Sequence, residues 1–163
     1  MKRRLMRNVN KRLAGKCHPK TGVLFVKKDI YCGWGILEGF VGPEFDGVKV
    51  DIRLTLEQAY KKFGGTDKKF YNGTMSLGIM CIKEQIINNT LSNNQYLSQE
   101  DIDMIKRGKL PQGKTMHHCP ETTEEGTIVM QLVDRDIHHK TRHTGGSTTL
   151  NIDKSYAVPD DFE

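Results

Sequence analysis

"TMHHCPETTEEGTIVMQLVDRDIHHKTRHTGG", residues 115–146, carries five of the six histidines in a chain of 163 residues. Its pattern divides into three pieces. "KTMHH" has the length and make-up of a short strand, and because neighbouring strand side chains point to opposite faces, His117 and His118 are expected to face apart. "GTIVMQLV" places Ile128, Met130 and Leu132 on one face of a second strand, joined to the first by a polar turn of Glu and Thr, which makes a hairpin. Asp134 or Asp136 then caps a helix "IHHKTRH" that stops at Thr144-Gly145-Gly146. On that helix His139 and His143 share a face, whereas His138 and His143 stand about 140° apart and meet only where the last turn loosens.

Two strands and a helix that bring three imidazoles toward one point describe a transition-metal site, because neutral imidazole suits Zn²⁺, Ni²⁺ or Cu²⁺ while Mg²⁺ prefers oxygen ligands. One histidine remains over. An open coordination position for a phosphate oxygen, beside a histidine able to take a proton from water, meets the needs of phosphodiester hydrolysis. A structural zinc site is the weaker reading, since such sites close with four ligands rich in Cys and only Cys119 is near.

The rest of the chain frames this segment. Hydrophobic residues are 36% and charged residues 28%, enough apolar sequence for one core, so a single domain over residues 1–163 is expected. No apolar run approaches the roughly 18 residues that span a bilayer, and the basic start lacks a following apolar segment, so neither a membrane helix nor a secretory signal is read. The net charge of +5, with Lys2, Arg3, Arg4, Arg7, Lys11 and Arg12 forming a basic arm within residues 1–15, favours an anionic partner such as nucleic acid. The four cysteines show no paired spacing and no disulfide framework.

Along the chain, Val23 to Val26 reads as a short strand and the Gly-rich stretch from Gly33 to Gly47 as loop. "VKVDIRL" alternates as a half-buried strand, and Thr55 caps a helix "LEQAYKKF" that ends at Gly64-Gly65. Lys69 to about Asn88 is expected to be a core helix, although Gly73 and Gly78 weaken the pattern. Ser98 with Asp101 resembles a capping box that opens a helix "EDIDMIKRG".

"LSQEDIDMIKRGKLPQGKTMHH" followed by "GTIVMQLVDRDIHHKTRHTGG" resembles the C-terminal nuclease domain of bacterial polymorphic toxins, in the branch of the HNH/endonuclease VII superfamily named for a Trp-His-His signature, and "LAGKCHPKTGVLF" is similar to the segment that opens that domain. These blocks cover roughly the first 25 residues and residues 97–147. The resemblance implies an α+β fold with a ββα-metal (His-Me finger, HNH) core over residues 114–146 and additional helices, as in colicin-like DNases. It implies His118 as general base and His117, His138 and His143 as ligands of one divalent ion (Zn, Ni, Mn or Mg), with His139 as the rival of His138. It further implies export by a specialised secretion system, action in the cytoplasm of a target cell, and a cognate immunity protein.

The departures lie at Met116, which replaces the signature Trp, and Cys119, which replaces a third consecutive histidine. The asparagine that braces the hairpin loop in the wider HNH pattern has no clear equivalent, Gln131 being the candidate, and His18 in "CHPKTG" reads as structural or as a border of the site. Arg135 and Arg142 are expected to hold the phosphate backbone without reading bases, so little sequence specificity is anticipated. DNA is the favoured substrate. The alternatives are an RNase with the same site and a non-catalytic, zinc-stabilised nucleic-acid-binding module.

Overall fold

A computed structural model of the protein describes residues 11–32, 35–92 and 94–141; residues 1–10 of the basic arm, Arg142 and His143 lie outside the described residues. The fold is α+β. In chain order it runs through β1 (Phe25–Cys32), β2 (Gly35–Pro43), β3 (Val48–Thr55), α1 (Leu56–Phe63), α2 (Asp67–Ile87), α3 (Gln99–Lys106), β4 (Lys114–Thr122), β5 (Thr127–Asp134) and α4 (Arg135–Lys140). Strands β1 and β2 pair as an antiparallel hairpin, while β3, β5 and β4 form a second antiparallel sheet in that order. Among the described residues no helix is long and apolar enough to cross a membrane.

The Gly33–Gly47 stretch, expected to be loop, instead supplies β2, and the strand expected at Val23–Val26 extends to Cys32. The reason is a bulge. Lys28 pairs with Phe40 and Ile30 with Leu37, so Asp29 faces two residues, and Gly39 takes a positive φ of 64° that few side chains tolerate. The Asp29 carboxylate accepts the Gly39 amide at 2.8 Å, which fixes the kink. With the register shifted there, Leu37, Phe40 and Val41 are all buried, a pattern that strict alternation in the sequence does not show.

Strand β3 and the three helix starts follow local rules. Thr55 caps α1 and Ser98 caps α3, each in a complete capping box, and Gly64 closes α1 in the left-handed conformation. Helix α2 lays Phe70, Thr74, Gly78 and Ile82, spaced at every fourth residue, against the core face of the three-stranded sheet. There it meets Val48, Val50, Ile52, Ile128, Met130 and Leu132. Gly78 is present because the helix comes close: a Cβ there would stand 2.7 Å from Met116 Cε. Met80 and Ile87 of the helix are exposed, so the expected core helix buries only part of its apolar residues.

Candidate active site

Strand register decides which histidines can meet. His117 lies opposite Gln131 and His118 opposite Met130 in the β4–β5 pair, so successive residues of β4 report on opposite sides of the sheet. His118 shares the face that α2 covers. His117 shares the other face, with Gln131, and there α4 packs back over the hairpin.

On that second face the Nδ1 of His117 stands 3.0 Å from the Nε2 of His138. The side chain of Asp134 accepts the Ile137 amide at 2.9 Å and starts α4 immediately after β5, which swings His138 over β4. Phe45, in the connection between β2 and β3, packs its ring against both imidazoles, with centroids 5.1 Å from His117 and 5.4 Å from His138. Gln131 holds that connection in place: its amide nitrogen donates to the Phe45 carbonyl at 2.8 Å and to the Gly47 carbonyl at 3.3 Å. Gln131 thus braces the β2–β3 connection beneath the histidines and not the β4–β5 turn. Phe45 escaped the sequence reading, since nothing in its local pattern signals a contact with residues more than seventy positions away.

His118 is caged on the first face. Its Nε2 lies 2.8 Å from the Thr74 hydroxyl, the Phe70 ring stacks on it at 6.0 Å between centroids, and the Tyr71 ring meets it edge-on at 5.1 Å. Burial lowers its pKa from 6.5 to about 4, with a smaller contribution from the charge of His138, so the imidazole is neutral at pH 7. Because folding lowers this pKa, the unfolded chain binds the proton more readily between pH 6.5 and about 4. Stability contributed by the neutral ring is therefore complete above pH 6.5 and is lost as the pH falls through that window, by about 3 kcal/mol in total. Urea titrations of the metal-free protein from pH 7 to pH 4 should show this fall, and the His118→Gln protein should lack that part of the slope. An equal slope in both would remove His118 as its source.

The other expected site residues separate. His139 is exposed and does not share the His117 contact, because it stands about 100° around α4 from His138, and α4 ends at Lys140 with Thr141 as its C-cap. The helix therefore stops before reaching residue 143, and the face on which His139 and His143 were expected to pair is not continued among the described residues. Arg135 is exposed at the start of α4, placed by its amide bond to the Gly113 carbonyl at 2.9 Å. His18 is structural: its Nδ1 accepts the Lys20 amide at 3.2 Å within its own turn and its ring stacks on Phe25. That turn still borders α4 through a 2.8 Å bond between the Thr21 and Thr141 hydroxyls. Cys119 is fully buried, and burial pushes its thiol up to about 12, so it is a protonated, apolar filler in this state.

A cleft of about 230 Å³ opens beside His117, bordered by Phe45, Lys28, Lys49 and Glu121. It gives an anion two ammonium groups, although Lys49 is already paired with Glu121 at 3.0 Å and Lys28 with Glu44 at 3.9 Å. The His117–His138 pair fits a divalent ion in its chemistry: two imidazole nitrogens at 3.0 Å would subtend about 95° at a metal with bonds of about 2.05 Å. Among the described residues no set of three His, Cys, Asp or Glu side chains gathers at one point.

No curated protein and no solved structure matches the chain. A family does, over residues 43–145, which is more than half of the sequence and spans β3 through α4, the hairpin and every histidine except His18. The chain belongs to the DNase/tRNase domain family of colicin-like bacteriocins, nuclease toxins that act on the DNA or tRNA of a target cell.

Proposed function

We propose that the chain is a metal-dependent endonuclease of the HNH type that hydrolyses DNA with little sequence specificity, as one domain over residues 1–163. The observation that carries the reading is the 3.0 Å approach of His117 and His138, delivered from a strand and from the helix that follows its hairpin partner. His117 and His138, with His143 as third ligand, would hold one divalent ion. When bound, that ion supplies positive charge to the scissile phosphate and to the leaving oxygen.

For His118 to take the proton from the attacking water as general base, its neutral ring must reach the edge of β4 beside the His117–His138 pair, since in the structure it faces α2. The water oxygen then forms its bond to phosphorus, the phosphorus–oxygen ester bond breaks, and the electron pair leaves with the departing oxygen. Arg135 and Arg142 would hold flanking phosphates as point contacts, which explains positioning without base recognition. Such contacts make cleavage fall steeply with salt. A cognate immunity protein in the producing cell, and export from it by a specialised secretion system, complete the reading.

Cleavage of supercoiled plasmid and of total tRNA by the metal-stripped protein, with Mg²⁺, Mn²⁺, Zn²⁺ or Ni²⁺ restored singly, tests it. Plasmid nicking should be absent without metal and recover by more than about 100-fold with at least one ion. Cleavage of tRNA alone would transfer the same site to RNA. Full plasmid cleavage in the presence of a chelator would end the metal-dependent reading, and metal binding with no cleavage of either substrate would leave a zinc-stabilised binding module.

A further inference from the structure

Thr74 is a hydroxyl with no exposure at all, set in the apolar stripe of α2. Its Oγ1 lies 2.8 Å from the Phe70 carbonyl oxygen, 3.2 Å from the Tyr71 carbonyl oxygen and 2.8 Å from Nε2 of His118. A threonine hydroxyl has one proton, and both carbonyls are pure acceptors. If that proton pointed at the imidazole, the hydroxyl oxygen would press its lone pairs against two carbonyl oxygens in a dry interior. The proton therefore lies toward the carbonyls, and the hydroxyl accepts from the ring. Nε2 of His118 must then carry a hydrogen, and Nδ1 must carry the lone pair.

The rings of Phe70 and Tyr71, one stacked on the imidazole and one edge-on, keep its plane from rotating. We propose that Thr74, backed by the Phe70 carbonyl, is a positioning residue that fixes His118 as the Nε2–H tautomer and so leaves Nδ1 as the ring nitrogen with a free lone pair. This rests on His118 being the general base of the proposed nuclease. When Nδ1 gains a proton, the Nε2–H···Oγ1 bond is retained and strengthens toward the charged ring, so the hydroxyl favours the state in which the base has acted. The arrangement orients a histidine through its second nitrogen, as a buried carboxylate does elsewhere, but without placing a second charge in the core.

The test uses the whole chain, labelled with ¹⁵N in histidine and free of metal, with the His118 tautomer read from long-range ¹H–¹⁵N correlations. Wild-type protein and Thr74→Ser should both show a protonated Nε2 and a bare Nδ1, while the near-isosteric Thr74→Val should lose that preference. In plasmid cleavage Thr74→Val should reduce kcat by about 10- to 100-fold with KM within about twofold, and Thr74→Ser should recover most of the rate. A bare Nε2 in the wild type, or an unchanged tautomer in Thr74→Val, overturns the assignment. So does a tautomer that shifts with no change in kcat. Absence of cleavage by the wild-type protein would overturn the nuclease role of His118 itself, and the spectrum, which needs no activity, separates that failure from a wrong tautomer.

Discussion

Replacing His118 by alanine should lower plasmid cleavage by about 10²- to 10⁴-fold while leaving the metal content of the protein unchanged. The two halves of this expectation come from the register of β4. His118 faces α2, and the His117–His138 pair is built on the opposite face from β4, α4 and the Phe45 connection, so truncating one imidazole does not remove a support of the other pair. The truncation leaves a gap between Phe70 and Tyr71 and strands the lone pair of Thr74, so a loss of stability will accompany it. Rates are therefore to be compared well below the unfolding temperature of the variant, with metal binding measured by equilibrium dialysis on the same samples. A variant that retains the wild-type rate within about threefold would remove His118 from the chemistry. Joint loss of rate, metal and fold would instead make it a structural residue of the α2 interface.

The second large effect is expected at a glycine. Gly47 immediately precedes β3 beside the site, and a Cβ placed on it would run into the carbonyl oxygen of Leu132 on the neighbouring strand. The obstruction is backbone, which cannot swing aside as a side chain can. Relief requires either that β3 part from β5 at the Val48–Leu132 pair or that the connection carrying Phe45 move. Strain and overpacking together predict that Gly47→Ala destabilises the protein by about 2 to 6 kcal/mol in urea unfolding. Gly65 provides the contrast. It also has a positive φ, of 77°, but a Cβ there meets nothing within 4 Å, so Gly65→Ala should cost only the backbone strain of about 1 to 2 kcal/mol. Because the Gly47 carbonyl also accepts from Gln131, the Gly47 variant should disturb the Phe45 contact with His117 and His138 and weaken metal binding. Equal stability of the two variants would refute the close-approach argument.

Much of this protein is legible from neighbours in sequence. Helix α1 begins and ends where Thr55 and Gly64 require, α3 opens at its Ser98–Asp101 box, and the β4–β5 hairpin follows from its alternation. These features depend on contacts within one turn of helix or one step of strand, which is the range over which a local pattern carries information. The opposite facing of His117 and His118 on β4 is legible for the same reason, since the period of a strand is two.

What the amino-acid sequence could not decide is everything set by approach across the fold. The β1–β2 hairpin was hidden because its bulge at Asp29 breaks the alternation and its glycines imitate a loop, so only the Asp29–Gly39 bond and the burial of Leu37, Phe40 and Val41 reveal it. The approach of His138 rather than His139 to His117 depends on how α4, started at Asp134, is turned over β4, and α4 ends at Lys140, short of the glycines at 145 and 146. Thr74 looks like a flaw in an apolar helix until the fold brings His118 to it across forty-four residues. The sequence by itself thus determined the hairpin, the caps and the division of the histidines between two faces, because strand period and helix capping act on adjacent residues. Only the tertiary structure decided which imidazoles meet and which hydroxyl holds the third, because those pairings are set by how closely α2 and α4 can pack on the sheet.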